Sequence, residues 1–177
     1  MQNKSIRKLT LTAMFTALTA IFSQIQIPMQ PVPINLAMLS VFLAGGLLGW
    51  KYGSVSMIVY VLLGLFGAPV FAEFSGGAAI LFGRTGGYIF GYIAAAFLTG
   101  LLSNTNLLKA RFMLPLSMTI ALLSCYFLGT AWFMLITKTD LWQALVWCFF
   151  PFLIGDALKI TVATILIPQI RKVAKTA

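Results

Sequence analysis

Long apolar runs alternate with short polar links along most of this chain. A first run covers about Leu9 to Ile27, after which "IPMQPVPI" breaks any helix with Pro28, Pro31 and Pro33. A second covers about Ile34 to Leu48 and a third about Gly53 to Gly67, joined by the tight turn "GWKYG". The fourth is about Gly86 to Ser103 and the fifth about Met113 to Ile136. Counting about 18 residues back from Arg171 puts the start of a sixth near Pro151 to Ile154, and proline suits a first helical turn. These runs approach the length needed to cross a hydrocarbon layer of roughly 30 Å at about 1.5 Å per residue. The pattern predicts an all-α integral membrane protein: six transmembrane helices in a single membrane domain over residues 1–177. The second and third helices are short for a crossing, which places them deep in the bundle or in locally thinned membrane.

Two links differ from ordinary loops. "APVFAEFSGGAAILFGRT", residues 68–85, carries Val70, Phe71, Phe74, Ile80, Leu81 and Phe82, which a loop facing water has little reason to hold. It is expected to fold back over the bundle as a cap on the outer side. Before the last span, Leu141 to Phe150 reads as a short interfacial helix, with Asp140 as N-cap, Gln143 three residues on, and Trp142 and Trp147 as interface anchors.

Composition agrees with the pattern, since 60% of residues are hydrophobic and only 8% charged. The net charge of +9 has to be read against the membrane rather than as a nucleic-acid footprint. Of twelve basic residues, Lys4, Arg7, Lys8, Lys51, Lys109, Arg111, Arg171, Lys172 and Lys175 fall at alternate ends of the spans. Arg84 and Lys138, with Glu73 and Asp140, mark the opposite ends. That asymmetry predicts cytoplasmic termini on both sides of an even number of spans in the cell membrane. A secretory signal peptide would fit the basic and then apolar start, but the run continues to Ile27, which favours an uncleaved helix.

Catalytic chemistry has little material. There is no histidine, and only three acidic residues occur, so no Ser-His-Asp set, paired carboxylates or metal cluster can be built. No catalytic residue, metal or cofactor is therefore expected. Cys125 and Cys148 lack metal-binding spacing and read as buried apolar residues. "GRTGGYIFGY", residues 83–92, is glycine-rich but lacks P-loop order, and its Gly87, Gly91 and Ala95 read first as a ridge for close helix approach.

The informative charges are in "PFLIGDALKI", residues 151–160, where Asp156 and Lys159 share one helix face. One reading is an internal ion pair at a helix start. The other is a polar site at membrane depth that binds a solute. The second is preferred because Arg84 ends the apolar loop on the same side. Two cations and one anion leave a positive surplus, which an anionic ligand would balance. Arginine is suited to grip a carboxylate with two hydrogen bonds. On the first helix, Ala13 and Ala17 in "AMFTA" form a small-residue ridge that fits intramolecular packing or a partner-docking face.

"PMQPVPINLAMLSVFLAGGLLG", "GLFGAPVFAEFSGG", "GRTGGYIFGYIAAAFL" and "PFLIGDALKI" together resemble, in order and spacing, the BioY family of biotin-specific substrate-binding (S) components of energy-coupling-factor (ECF) transporters. Asn35 departs from the threonine expected there. The resemblance implies six helices around an outward biotin pocket lidded by the first and third loops. It implies that Arg84 and Lys159 face the ligand's carboxylate and Asp156 its ureido N–H groups, while Tyr88, Phe71 and Glu73 line the pocket. It further implies that Ala13 and Ala17 contact an EcfT-like transmembrane coupling subunit, which works with two ABC-type ATPase subunits. Uptake of a different anionic vitamin, or a scaffold role without transport, are the competing readings.

Overall fold

The computed structural model describes residues 4–103 and 110–176; Lys109, one of the basic residues in the charge asymmetry, lies outside them. Helix α1, Lys4–Gln24, buries a stripe of hydroxyls at Thr12, Thr16, Thr19 and Ser23. Hydroxyls are tolerated in such a setting when they return a hydrogen bond to their own helix. Thr12 donates to the Lys8 carbonyl at 2.8 Å and Thr19 to the Phe15 carbonyl at 2.7 Å. The same stripe bonds outward, Thr16 to the Ser56 carbonyl at 2.9 Å and Thr19 with the Ser40 hydroxyl at 2.8 Å.

The first helix ends at Gln24, short of the Ile27 that its apolar run suggested. Residues Gln26–Ile27 (β1) leave it to pair antiparallel with Ile34–Asn35 (β2), in register Gln26 with Asn35 and Ile27 with Ile34. The proline-rich link thus becomes a small hairpin, because prolines forbid helix while the flanking residues can still form ladder bonds. The Asn35 carboxamide oxygen then accepts from the Ala37 amide at 3.1 Å, at the start of the next helix.

Helix α2, Ala37–Leu65, contains one non-helical residue, Gly49, at φ 77 and ψ 176. The chain reverses there. A Cβ added at Gly53 would lie 2.9 Å from the Gly45 Cα, a contact that two halves of a straight helix could not make. Gly49 supplies a backbone conformation costly for residues with a Cβ. The predicted pair of short helices is therefore observed as two arms of α2, although the first begins at Ala37 rather than Ile34.

After a 3-10 turn at Ala72–Phe74 come α3 (Ala78–Leu81), α4 (Gly86–Leu102), α5 (Ala110–Thr137), α6 (Leu141–Cys148) and α7 (Phe152–Thr176). Asp140 caps α6 by accepting from the Trp142 amide at 3.3 Å. By length and apolarity Phe112–Thr137 and Phe152–Val173 are candidate membrane spans, as is Ala37–Leu65 when its two arms are counted together, and Gly86–Leu102 is a shorter apolar helix.

Small residues let the helices meet backbone to backbone. A Cβ on Gly45 would stand 2.6 Å from the Ala96 carbonyl, and one on Gly100 would stand 2.3 Å from the Trp50 amide. Between α4 and α5, Gly91 faces the Cys125 sulfur, which a Cβ would approach to 2.6 Å. The glycine ridge on α4 is thus a packing surface, as expected of small residues at four-residue spacing. We expect Gly100→Ala to cost about 1–3 kcal/mol by overpacking a rigid backbone contact. Gly155→Ala, whose Cβ would find its nearest neighbour at 3.8 Å, should leave stability unchanged or raise it. Thermal unfolding in detergent compares the two.

Candidate functional site

The opening turns of α7 place Asp156 and Lys159 inside the bundle, both buried. The Lys159 ammonium donates to Asp156 Oδ1 at 2.6 Å. The second carboxylate oxygen, Oδ2, accepts a hydrogen bond from the Tyr126 hydroxyl of α5. One carboxylate therefore holds two partners from two helices. Each oxygen still has lone-pair capacity, since an ionised carboxylate offers about four acceptor positions.

These groups line a cavity of about 410 Å³. Its walls come from the 29–35 hairpin link, both arms of α2, the 71–85 segment, α4, α5 and α7. Tyr60, Phe71, Tyr88, Tyr92, Tyr126 and Phe152 form an aromatic lining. Tyr60 and Phe71 meet edge to face with ring centroids 5.5 Å apart, and Tyr126 and Phe152 do so at 6.5 Å. Such a site, apolar over most of its wall with a few convergent polar groups, is the usual form of a small-molecule pocket.

Local sequence explains how the wall residues are held. Phe71 is 1% exposed, and its ring lies over Gly64, where a Cβ would approach to 2.0 Å. Tyr88 lies over Gly129 in the same manner, with 2.2 Å to an added Cβ, and its hydroxyl shares a hydrogen bond with Thr130 at 3.1 Å. Two glycines thus seat two aromatic walls. Cys125 lines the cavity, while Cys148 is a free, buried residue of α6 whose thiol pKa is raised by burial, opposed by a hydrogen bond from Tyr88.

Arg84 and Glu73 also line the cavity but are exposed, so they sit at its rim while Asp156 and Lys159 form its interior. All six residues singled out for the pocket, Arg84, Asp156, Lys159, Tyr88, Phe71 and Glu73, therefore border one space. The charge count needs revision. Lys159 and Asp156 already neutralise each other, and the rim adds one cation and one anion. Among the described residues no carboxylate comes within ion-pairing distance of Arg84. The cation free to meet an anion is thus a single residue at the mouth rather than a surplus shared by three.

Tyr126, Tyr60 and Tyr92 border the cavity without having been singled out from the sequence, and so does Asn35, noted there only for its departure from threonine. Tyr126 had a weak signal: a phenol in an apolar helix needs a hydrogen-bond partner, and Asp156 was among the few strong acceptors available. Ala13 and Ala17 are elsewhere, on the exposed face of α1 beside Leu9, 61% exposed, and Ile21, 59% exposed.

Comparison with known proteins gives this geometry a family. The chain is 38% identical over 167 residues to the biotin transporter BioY of Thermotoga maritima, covering 94% of this chain and 97% of that one. It is 36% identical over 165 residues to a probable biotin transporter BioY of Pyrococcus horikoshii, covering 93% and 96%. Its fold superposes on the crystal structure of the S-component for biotin from an ECF-type ABC transporter with a TM-score of 0.88 and 28% identity, covering 97% of this chain and 94% of that one. The BioY family model matches residues 1–176, and this membrane protein belongs to the BioY family.

Proposed function

We propose that the protein captures biotin from outside the cell membrane and serves as the substrate-binding S component of an ECF-type transporter, with no chemistry of its own. The observation that carries this reading is a cavity in which a buried, partnered carboxylate, an aromatic lining and an arginine without an ion-pair partner among the described residues coincide, within a chain of the BioY family. Biotin is a neutral cyclic urea fused to a sulfur ring, with an aliphatic chain ending in a carboxylate. The urea needs a strong acceptor, the ring and chain need apolar walls, and the carboxylate needs a cation. Asp156, the aromatics and Arg84 supply these in that order. Lys159, fixed on Asp156, remains a donor for a ligand oxygen through its other N–H bonds, and Tyr88, Phe71 and Glu73 complete the wall.

In the membrane this reading makes six spans of α1, the two arms of α2, α4, α5 and α7, forming one membrane domain over residues 1–177. Both termini are then cytoplasmic, as the distribution of Lys and Arg requires. The cavity then opens outward, with the 68–85 segment as its cap and α6 lying at the interface. A pocket of this kind binds but does not drive release. An EcfT-like coupling subunit with two ABC-type ATPases supplies that energy, and the exposed Ala13 and Ala17 on α1 form the surface that the coupling subunit meets.

Equilibrium binding of labelled biotin to detergent-purified protein tests the reading directly. Saturable binding is expected, and its absence favours a scaffold role, while binding of another vitamin in preference to biotin reassigns the substrate. Asp156→Asn should weaken biotin binding ten-fold or more, on the order of 1.4 kcal/mol; unchanged affinity removes Asp156 from the site. Arg84→Gln should weaken biotin by a similar roughly ten-fold factor but leave its neutral methyl ester nearly unaffected. Equal losses for both would show that Arg84 does not meet the carboxylate. Ala17→Trp should leave binding by the isolated protein intact and abolish uptake in cells that supply the coupling subunit and ATPases; full uptake would clear this face of a docking role.

A further inference from the structure

Three backbone groups of the segment that carries Phe71 and Glu73 are held by side chains from the last two residues of α1. The Ser23 hydroxyl donates to the Val70 carbonyl at 2.6 Å, and the Gln24 amide nitrogen donates to the Phe71 carbonyl at 2.9 Å. The oxygen of the same Gln24 amide accepts from the Phe74 amide at 2.9 Å. A single carboxamide thus bridges the two ends of a turn, donating to one and accepting from the other as a neighbouring strand would. Between those ends the backbone is unfavourable: Glu73 and Phe74 have φ values of 60 and 52, the left-handed region that residues with a Cβ seldom enter. Such a conformation persists only when its surroundings over-determine it.

We propose that Gln24 is a positioning residue that latches the 71–75 turn closed over the cavity, so that its release opens one wall to the ligand. This rests on the reading that the cavity binds biotin. The other hydrogen bonds of the 71–75 turn are internal, the Phe71 amide to the Ser75 carbonyl at 2.9 Å and the Ser75 amide and hydroxyl to the Ala72 carbonyl at 3.2 and 2.6 Å; beside it, Tyr60 donates to the Val70 carbonyl at 3.1 Å and Phe71 is seated on Gly64. With the carboxamide removed, the left-handed residues lose the bridge that opposes their relaxation, and Phe71 and Glu73 leave the cavity wall together. The position of the latch also matters. It sits at the end of the same continuous helix that presents Ala13 and Ala17 outward, so displacement of α1 would move the two groups that hold the turn.

Gln24→Met keeps the length of the side chain and removes both hydrogen bonds. Stopped-flow binding of labelled biotin should show association and dissociation both faster by roughly five-fold, with the equilibrium affinity changing less than either rate. A residue that only shapes the wall would instead speed dissociation and slow association, and that result, or unchanged rates, would overturn the latch. Gln24→Glu serves as a second variant: it retains an acceptor for Phe74 but opposes the Phe71 carbonyl with another oxygen, and the same direction is expected. Amide hydrogen exchange of residues 71–75 in ligand-free protein provides a readout independent of the ligand. It should rise in both variants while the unfolding temperature stays near that of the parent. If neither parent nor variant binds biotin, the substrate assignment fails, yet the exchange result still decides the latch.

Discussion

The buried carboxylate of Asp156 is the constraint around which the rest of the cavity is arranged. Moving an ionised carboxylate out of water costs several kcal/mol even after relaxation, so the chain must answer it with close partners. Lys159 answers it from one turn away on α7, and Tyr126 answers it from α5. The first partner is local and secures the charge as soon as the helix forms. The second is distant in sequence and requires α5 and α7 to reach their final packing. A buried polar group that is satisfied only when two helices meet ties the shape of the cavity to completion of the fold.

Helix contact elsewhere rests on the opposite device, the absence of side chains. Water drives no association between helices immersed in lipid, so they gain from packing closely, and glycine allows the nearest approach. Gly45 and Gly100 bring α2 against α4, and Gly91 brings α4 against α5. The same economy shapes the pocket. Gly64 and Gly129 leave room for whole aromatic rings, so the Phe71 and Tyr88 rings are seated by shape, while hydrogen bonds to the Phe71 backbone and between the Tyr88 and Thr130 hydroxyls add to their hold. A wall seated by shape is built by the fold itself, and preformed walls in general lower the ordering cost of binding.

Much of this was legible in the sequence where one residue type has few physical options. Prolines 28, 31 and 33 could only end a helix, and Asp140 ahead of Leu141–Cys148 caps the short helix it announced. The apolar loop was legible only in part: Phe71 and Leu81 are buried, whereas Phe74 and Phe82, expected to cover the bundle with them, are 72% and 58% exposed. Asp156 and Lys159 could be placed together because helical spacing alone sets their proximity. Contacts that depend on separate helices were not legible. Nothing local ties Tyr126 to Asp156, thirty residues apart, or Gln24 to Phe74, fifty apart. The hairpin at residues 26–35 was also hidden, since two-residue strands leave no alternation to read.

The two classes of charge around the cavity have different physical settings. Inside, Asp156 and Lys159 are neutral as a pair and rigidly partnered, so they present a fixed pattern of donors and acceptors rather than a field. At the rim, Arg84 and Glu73 are exposed to solvent. A solute with an uncharged polar head and an anionic tail matches that division: its head replaces interior water with fixed hydrogen bonds, while its charge stays where solvent still reaches. Placing the ligand's charge beside the exposed arginine avoids burying a second anion near Asp156, where the low-dielectric interior would make repulsion strong.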